Sequence, residues 1–252
     1  MAESPAKPAF HSPYLRNFGQ TKRESLDHSI DLITKMCADT GRPDLGDTDL
    51  LDLGCGVRFS QAILTFDLPL KSYTGVDVYG EMIAFLQDTV DDPRFAYVHD
   101  DVHNSLYNPD TAVAIADSPL PLAGKYDLIC GFSLFTHLAP DDFAAMLERA
   151  HAVAADDAWL YFTAYLDELT PGGHGYIDTL LLSLGLDPSA MAPVEERPDY
   201  REGNPEVPLQ LSLYSRKHAL ELVEQSPWTL EAVLDPVPYA QHQFICRASP
   251  SR

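Results

Sequence analysis

Asp52, Gly54 and Gly56 fall together in Leu51-Asp52-Leu53-Gly54-Cys55-Gly56. Glycines at this spacing permit positive φ and let a ligand come close to the backbone. About 20 residues further on, Asp77 ends an apolar run, where an acid accepts hydrogen bonds from ribose hydroxyls. Its other role there would be to cap the next helix. Asp101 follows a third apolar run and suits an adenine amino group, with Asp100 competing for that part. A nucleoside-bearing ligand fits this series of acids. A dinucleotide fits less well, because its fingerprint wants a third glycine where Phe59 stands. A nicotinamide-dependent oxidoreductase is therefore the weaker reading of the same turn.

Two histidines are candidates for proton transfer. His137 follows the fourth apolar run, at the sheet edge where ligands bind in such folds. It is a candidate general base, or a residue fixing the start of the next helix. His174 lies in Gly172-Gly173-His174-Gly175, where glycines favour a loop that closes on substrate. His99 and His103 bracket Asp100 and Asp101, but their spacing matches no fixed metal-ligand pattern. A divalent cation is admitted without such a pattern to support it, and no metal ligands are assigned.

The elements that must hold these residues alternate. Residues 1–20 carry Pro5, Pro8 and Pro13 and read as an irregular arm. Thr21 and Glu24 have capping-box spacing for a first helix, with Leu26, Ile30, Ile33 and Cys37 on one face. Short apolar strands at 49–53, 73–78, 95–98, 126–132 and 159–164 then alternate with helical stripes. This pattern predicts an α/β protein: a doubly wound, Rossmann-like, mostly parallel sheet. Strand-like segments at 229–234 and 243–247 close it at seven strands. Residues 1–44 form an N-terminal arm and helix, and 45–252 the main domain. The stretch 170–208 is rich in Gly and Pro and reads as an insertion covering the substrate, with a short helix near 176–184. A disordered surface insertion is the alternative.

These segments resemble the class I S-adenosylmethionine-dependent methyltransferases. The resemblance rests on LDLGCG at 51–56, YTGVDV at 73–78, YVHDDVHNSLYNP at 97–109 and YDLICGFSLFTHL at 126–138. It implies that Gly54 and Gly56, helped by Asp52, cradle the methionine part of S-adenosylmethionine. Asp77, with Val78 beside it, would hold the ribose. Asp101 and Val102 would flank the adenine. Phe132 and Ser133 would line the floor near the sulfonium. Arg58 stands where many members have a third glycine, and could reach the cofactor carboxylate or the substrate. Ala155-Asp156-Asp157 replaces the Pro-Gly-Gly turn common before the fifth strand. The YNP stretch is loosely similar to bacterial members associated with sugar and glycan modification.

The acceptor is read from what is absent and from composition. The Asn/Asp-Pro-Pro-Tyr/Phe signature of amino-methylating relatives is missing after the fourth strand, which favours an oxygen acceptor. Tyr14, Tyr165, Tyr176 and Tyr200, with acids such as Asp167 and Glu168, suit a hydroxylated small molecule such as a saccharide. N- or carboxyl-methylation of a small metabolite is the alternative. A non-catalytic cofactor-binding module is a further one. The product in either transfer is S-adenosylhomocysteine. The net charge of −21 argues against nucleic-acid partners and anionic membrane surfaces. No apolar run reaches the ~20 residues of a membrane span. The N-terminus lacks a signal-peptide core, and Cys37, Cys55, Cys130 and Cys246 form no CxxC pair. A reduced, cytoplasmic setting is expected.

Overall fold

Strand β1 (Leu45–Leu53) is the centre about which the sheet is wound. The computed structural model describes residues 10–14, 21–186, 196–236 and 241–249. Helix α1 (Lys22–Asp39) comes first. Its capping box is closed: Thr21 Oγ1 accepts from Glu24 N–H, and the Glu24 carboxylate accepts from Thr21 N–H. There follow β1, α2 (Arg58–Phe66), β2 (Leu70–Asp77), α3 (Gly80–Thr89) and β3 (Phe95–His99). Then come β4 (Tyr126–Gly131), α4 (Pro140–Ala152), β5 (Ala154–Leu166) and α5 (Asp178–Ser183). The chain continues through β6 (Tyr200–Glu202), β7 (Ser212–Tyr214), α6 (Arg216–Glu224), β8 (Trp228–Leu234) and β9 (His242–Ala248).

β3, β2, β1, β4 and β5 lie side by side and parallel. β9 pairs antiparallel with β5, and β8 antiparallel with β9. These are the seven expected strands. The expectation of seven is corrected to nine, because β6 and β7 join the sheet. The cause is the length of β5. Its pairing with β4 ends at Phe162 and with β9 at Ala164. Tyr165 and Leu166 would keep unpaired backbone groups, and β7 pairs with them. β6 then pairs antiparallel with β7. Ala155-Asp156-Asp157 is not a turn before β5 but lies within it, where the register against β4 shifts.

Alternation along the strands builds a core on each face. Leu51, Leu53, Ile129 and Phe162 face one core, with Phe143 and Leu147 of α4 and Val223 of α6. Leu50, Leu128, Cys130 and Tyr161 face the other, with Met36 of α1, Ile63 of α2 and Leu86 of α3. Strand order reverses between β1 and β4, which opens a crevice at their carboxyl ends. The glycine turn, Asp77, Asp101 and Ser133 all lie at or just past the carboxyl ends of strands of this group and so share that edge.

Candidate functional site

β1 ends in a turn whose backbone favours glycine at two positions. Gly54 has φ +66° and Gly56 φ +50°. The N–H groups of Gly54 and Cys55 both donate to Val76 C=O of β2, at 2.8 and 3.1 Å. A Cβ on Gly54 would press on Leu134, 3.3 Å away, whereas one on Gly56 would meet nothing within 4 Å. The turn therefore fronts open space at Gly56.

Asp77 closes the other side. One oxygen accepts from Gly56 N–H at 3.1 Å and the other from Tyr79 N–H at 3.0 Å. With the Val78 N–H also directed at it, the carboxylate meets three backbone donors and keeps room for a further one. Burial pushes this carboxyl above its usual range, against the N–H groups of Tyr79, Gly56 and Val78. Val78 follows it and is half-buried, packing beside the α4-side core.

Asp52 is placed differently. It is 3% exposed, with Tyr73 Oη 2.7 Å from one oxygen and Cys130 Sγ 3.4 Å from the other. Its carboxylate braces the strands beneath the glycine turn. Arg58 opens α2 and is half-buried, and its charge reaches His28 of α1.

Beyond β3 the two competing acids separate. Asp100 is buried and forms a bidentate pair with Arg149 of α4, at 2.9 and 2.8 Å. Asp101 is exposed, and accepts from Asn108 Nδ2 at 3.0 Å. Val102 drives its side chain into the core while its N–H donates to Asp100 C=O. His99 Nε2 bonds Val78 C=O, and His103 Nδ1 bonds Thr111 C=O. The two acids and the two histidines thus go to four different partners.

Beyond β4, Phe132 packs edge-on to Phe59 and tilted against Tyr161. Ser133 follows at φ +57°, a backbone strain for a residue with a side chain. Its N–H donates to Thr163 Oγ1, and its hydroxyl meets Gln241, which also reaches Tyr165 Oη. Gln241 and Thr163 were not singled out by the sequence. The alternation Gln241-His242-Gln243 before an apolar strand was the available signal.

His137 ends a 3-10 turn (Phe135–His137). Its Nδ1 lies 2.9 Å from Leu209 C=O, and Tyr107 stands edge-on to the ring. A carbonyl only accepts, so Nδ1 carries the proton and the lone pair of the neutral ring is on Nε2. His174 is exposed on a short loop closed by the Leu169–Gly175 bridge. The structure does not bring the two histidines into contact.

Further along the edge stand Asp167, paired with Arg197 and Arg201, and Glu168, held bidentately by Arg216. Burial works to raise the Glu168 carboxyl, but His242 and Arg216 outweigh it and hold it at about 2. Glu168, Asp235 and His242 could by type hold a metal ion. Arg216 already supplies a positive charge to both of these carboxylates.

The sequence matches a family model described as a methyltransferase domain over residues 18–193. Among solved structures, it is similar to magnesium protoporphyrin IX methyltransferase from Synechocystis PCC 6803 with bound SAH. The TM-score is 0.55 at 16% identity, covering 94% of this chain and 89% of that one. It is also similar to a SAM-dependent methyltransferase from Aquifex aeolicus. There the TM-score is 0.53 at 15% identity, covering 91% and 94%. At such identities the likeness speaks for the fold.

Proposed function

Because the chain belongs to the methyltransferase-domain family, we propose that it methylates an oxygen of a hydroxylated small molecule, a saccharide by preference, using S-adenosylmethionine. One observation carries the cofactor: Asp77, a carboxylate with hydrogen-bonding capacity beyond its backbone donors, stands beside the open space at Gly56. That pairing of a carboxylate acceptor with an unobstructed glycine fits a ribose and the chain leading from it. Gly54 and Gly56 would line the methionine part, Asp77 the ribose, Asp101 and Val102 the adenine, and Phe132 and Ser133 the floor.

Bound there, S-adenosylmethionine supplies a methyl group on a positively charged sulfur. The chain's part is to orient the acceptor oxygen in line with that carbon and to take its proton. His137 is the base of this proposal, with its Nδ1–H turned to Leu209 C=O so that Nε2 accepts. His174 would act from the covering loop. The segment 170–208, of which 187–195 lies outside the described residues, would close over the acceptor. Ser133, Gln241 and Tyr165 present hydroxyl and amide groups rather than charges, which suits an uncharged polyol.

Calorimetry with S-adenosylhomocysteine tests the cofactor reading. Each ribose hydrogen bond to a charged acceptor contributes roughly 1.5–3 kcal/mol, so Asp77→Ala should bind at least about tenfold more weakly while staying folded. Tight NAD binding with none of S-adenosylhomocysteine would overturn the reading. A methyl-release screen of sugars, small amines and carboxylic acids then separates oxygen from nitrogen and carboxyl acceptors.

A further inference from the structure

We infer that Arg149, on α4, is a positioning residue for the adenine end of the cofactor site, acting through Asp100; this deepens the S-adenosylmethionine reading and rests on it. Arg149 is 6% exposed and Asp100 4%. Its two terminal nitrogens grip the two Asp100 oxygens at 2.9 and 2.8 Å. A bidentate fork fixes the plane of the carboxylate as well as its position.

Asp100 passes that constraint on through its backbone. Its N–H donates to Asp77 C=O at 3.0 Å, and its C=O accepts from Val102 N–H at 2.8 Å. Asp101, the acid assigned to the adenine amino group, is held between these two bonds. Asn108 Nδ2 ties the outside of the same turn, through Asp101 Oδ1 and Val102 C=O. One guanidinium thus orients the ribose acid's strand end and the adenine acid's turn together.

A stability role explains the pair less well. Arg149 Nε is buried with no hydrogen-bond partner, a desolvation cost that apolar residues of similar volume would avoid. Replacing a buried ion pair by apolar residues is often neutral or stabilising. What apolar residues would not keep is the orientation of the turn.

The test compares wild type, Arg149→Lys, and the double variant Asp100→Leu/Arg149→Met, each titrated with S-adenosylhomocysteine and S-inosylhomocysteine. The inosyl compound replaces the adenine amino donor by an oxygen acceptor and N1 by N1–H, so their affinity ratio reports on the base edge that Asp101 faces. Wild type should prefer the adenosyl compound about tenfold or more, the contribution of one charge-assisted hydrogen bond. In the double variant the melting temperature should be kept and the ratio should fall towards one. Lysine is a point charge without the fork, so Arg149→Lys should fold and show an intermediate ratio. That variant decides the matter should the double variant not fold. An unchanged ratio in a folded variant overturns the inference while leaving the cofactor reading intact. Failure of wild type to bind either compound overturns the cofactor reading itself, and this inference with it.

Discussion

Asp52 lies under the glycine turn with both oxygens engaged, by Tyr73 Oη and Cys130 Sγ. Burial pushes its carboxyl up to about 7, the two hydrogen bonds opposing and the charge of Asp77 adding. A carboxyl raised in the folded state keeps its proton after the unfolded chain has lost it. Between about pH 4 and 7 the unfolded state therefore binds fewer protons, and this group's contribution to stability falls as pH rises. An asparagine in its place would keep a carbonyl acceptor for Tyr73 and has no proton to lose. Asp52→Asn should accordingly gain on wild type across that window, by roughly 2–4 kcal/mol. Urea unfolding at both ends of the window measures it. A constant difference between the two proteins would mean that Asp52 is ionised in the folded state. The motif that drew attention to Asp52 thus marks a residue whose side chain serves the turn from below.

At the scale of elements, the edge of the sheet is tied to the segment that follows β5. His137, at the end of its 3-10 turn, bonds Leu209 C=O, and Leu209 N–H donates to Glu202 of β6. Leu209 is held at φ +61° by these contacts, the kind of strain that collects at functional sites. General-base assistance contributes about 10²–10⁴-fold. His137→Ala should lower turnover by about that factor with S-adenosylhomocysteine affinity nearly unchanged. Turnover on an acceptor from the screen, set beside calorimetry, reads both. Loss of cofactor affinity or of folding would assign His137 to bracing alone. The strands were legible because those buried on both faces read as apolar runs, and α1 because its capping box is local. β6 and β7 were not, since each has three residues and exists only because β5 overruns its neighbours. Gly54, Gly56 and Asp77 were legible from local spacing. Arg149 and Gln241 were not, because their meaning lies in partners far along the chain.

For the whole molecule the charge is the dominant fact. A net charge of −21 and a pI near 4.5 leave the folded chain repelling itself at neutral pH. Many of its few cations already pair with carboxylates, as Arg149, Arg197, Arg201 and Arg216 do. The surplus is therefore acidic surface whose mutual repulsion acts over a screening length. That length shrinks from ~30 Å at 0.01 M salt to ~8 Å at 0.15 M. Screening should favour the compact state, because charges lie closer together there than in the unfolded chain. An effect of about 1 kcal/mol corresponds to roughly 2–4 °C for a chain of this size. Raising sodium chloride from 0.01 to 0.15 M at pH 7.5 should raise the melting temperature by about that amount. Near pH 4.5 the net charge is close to zero and the same salt step should have little effect. Calorimetric melts at the two pH values separate the cases, since an ion bound at a specific site would not follow net charge. An equal shift at both would assign the salt effect to ion binding or to hydrophobic terms instead of self-repulsion.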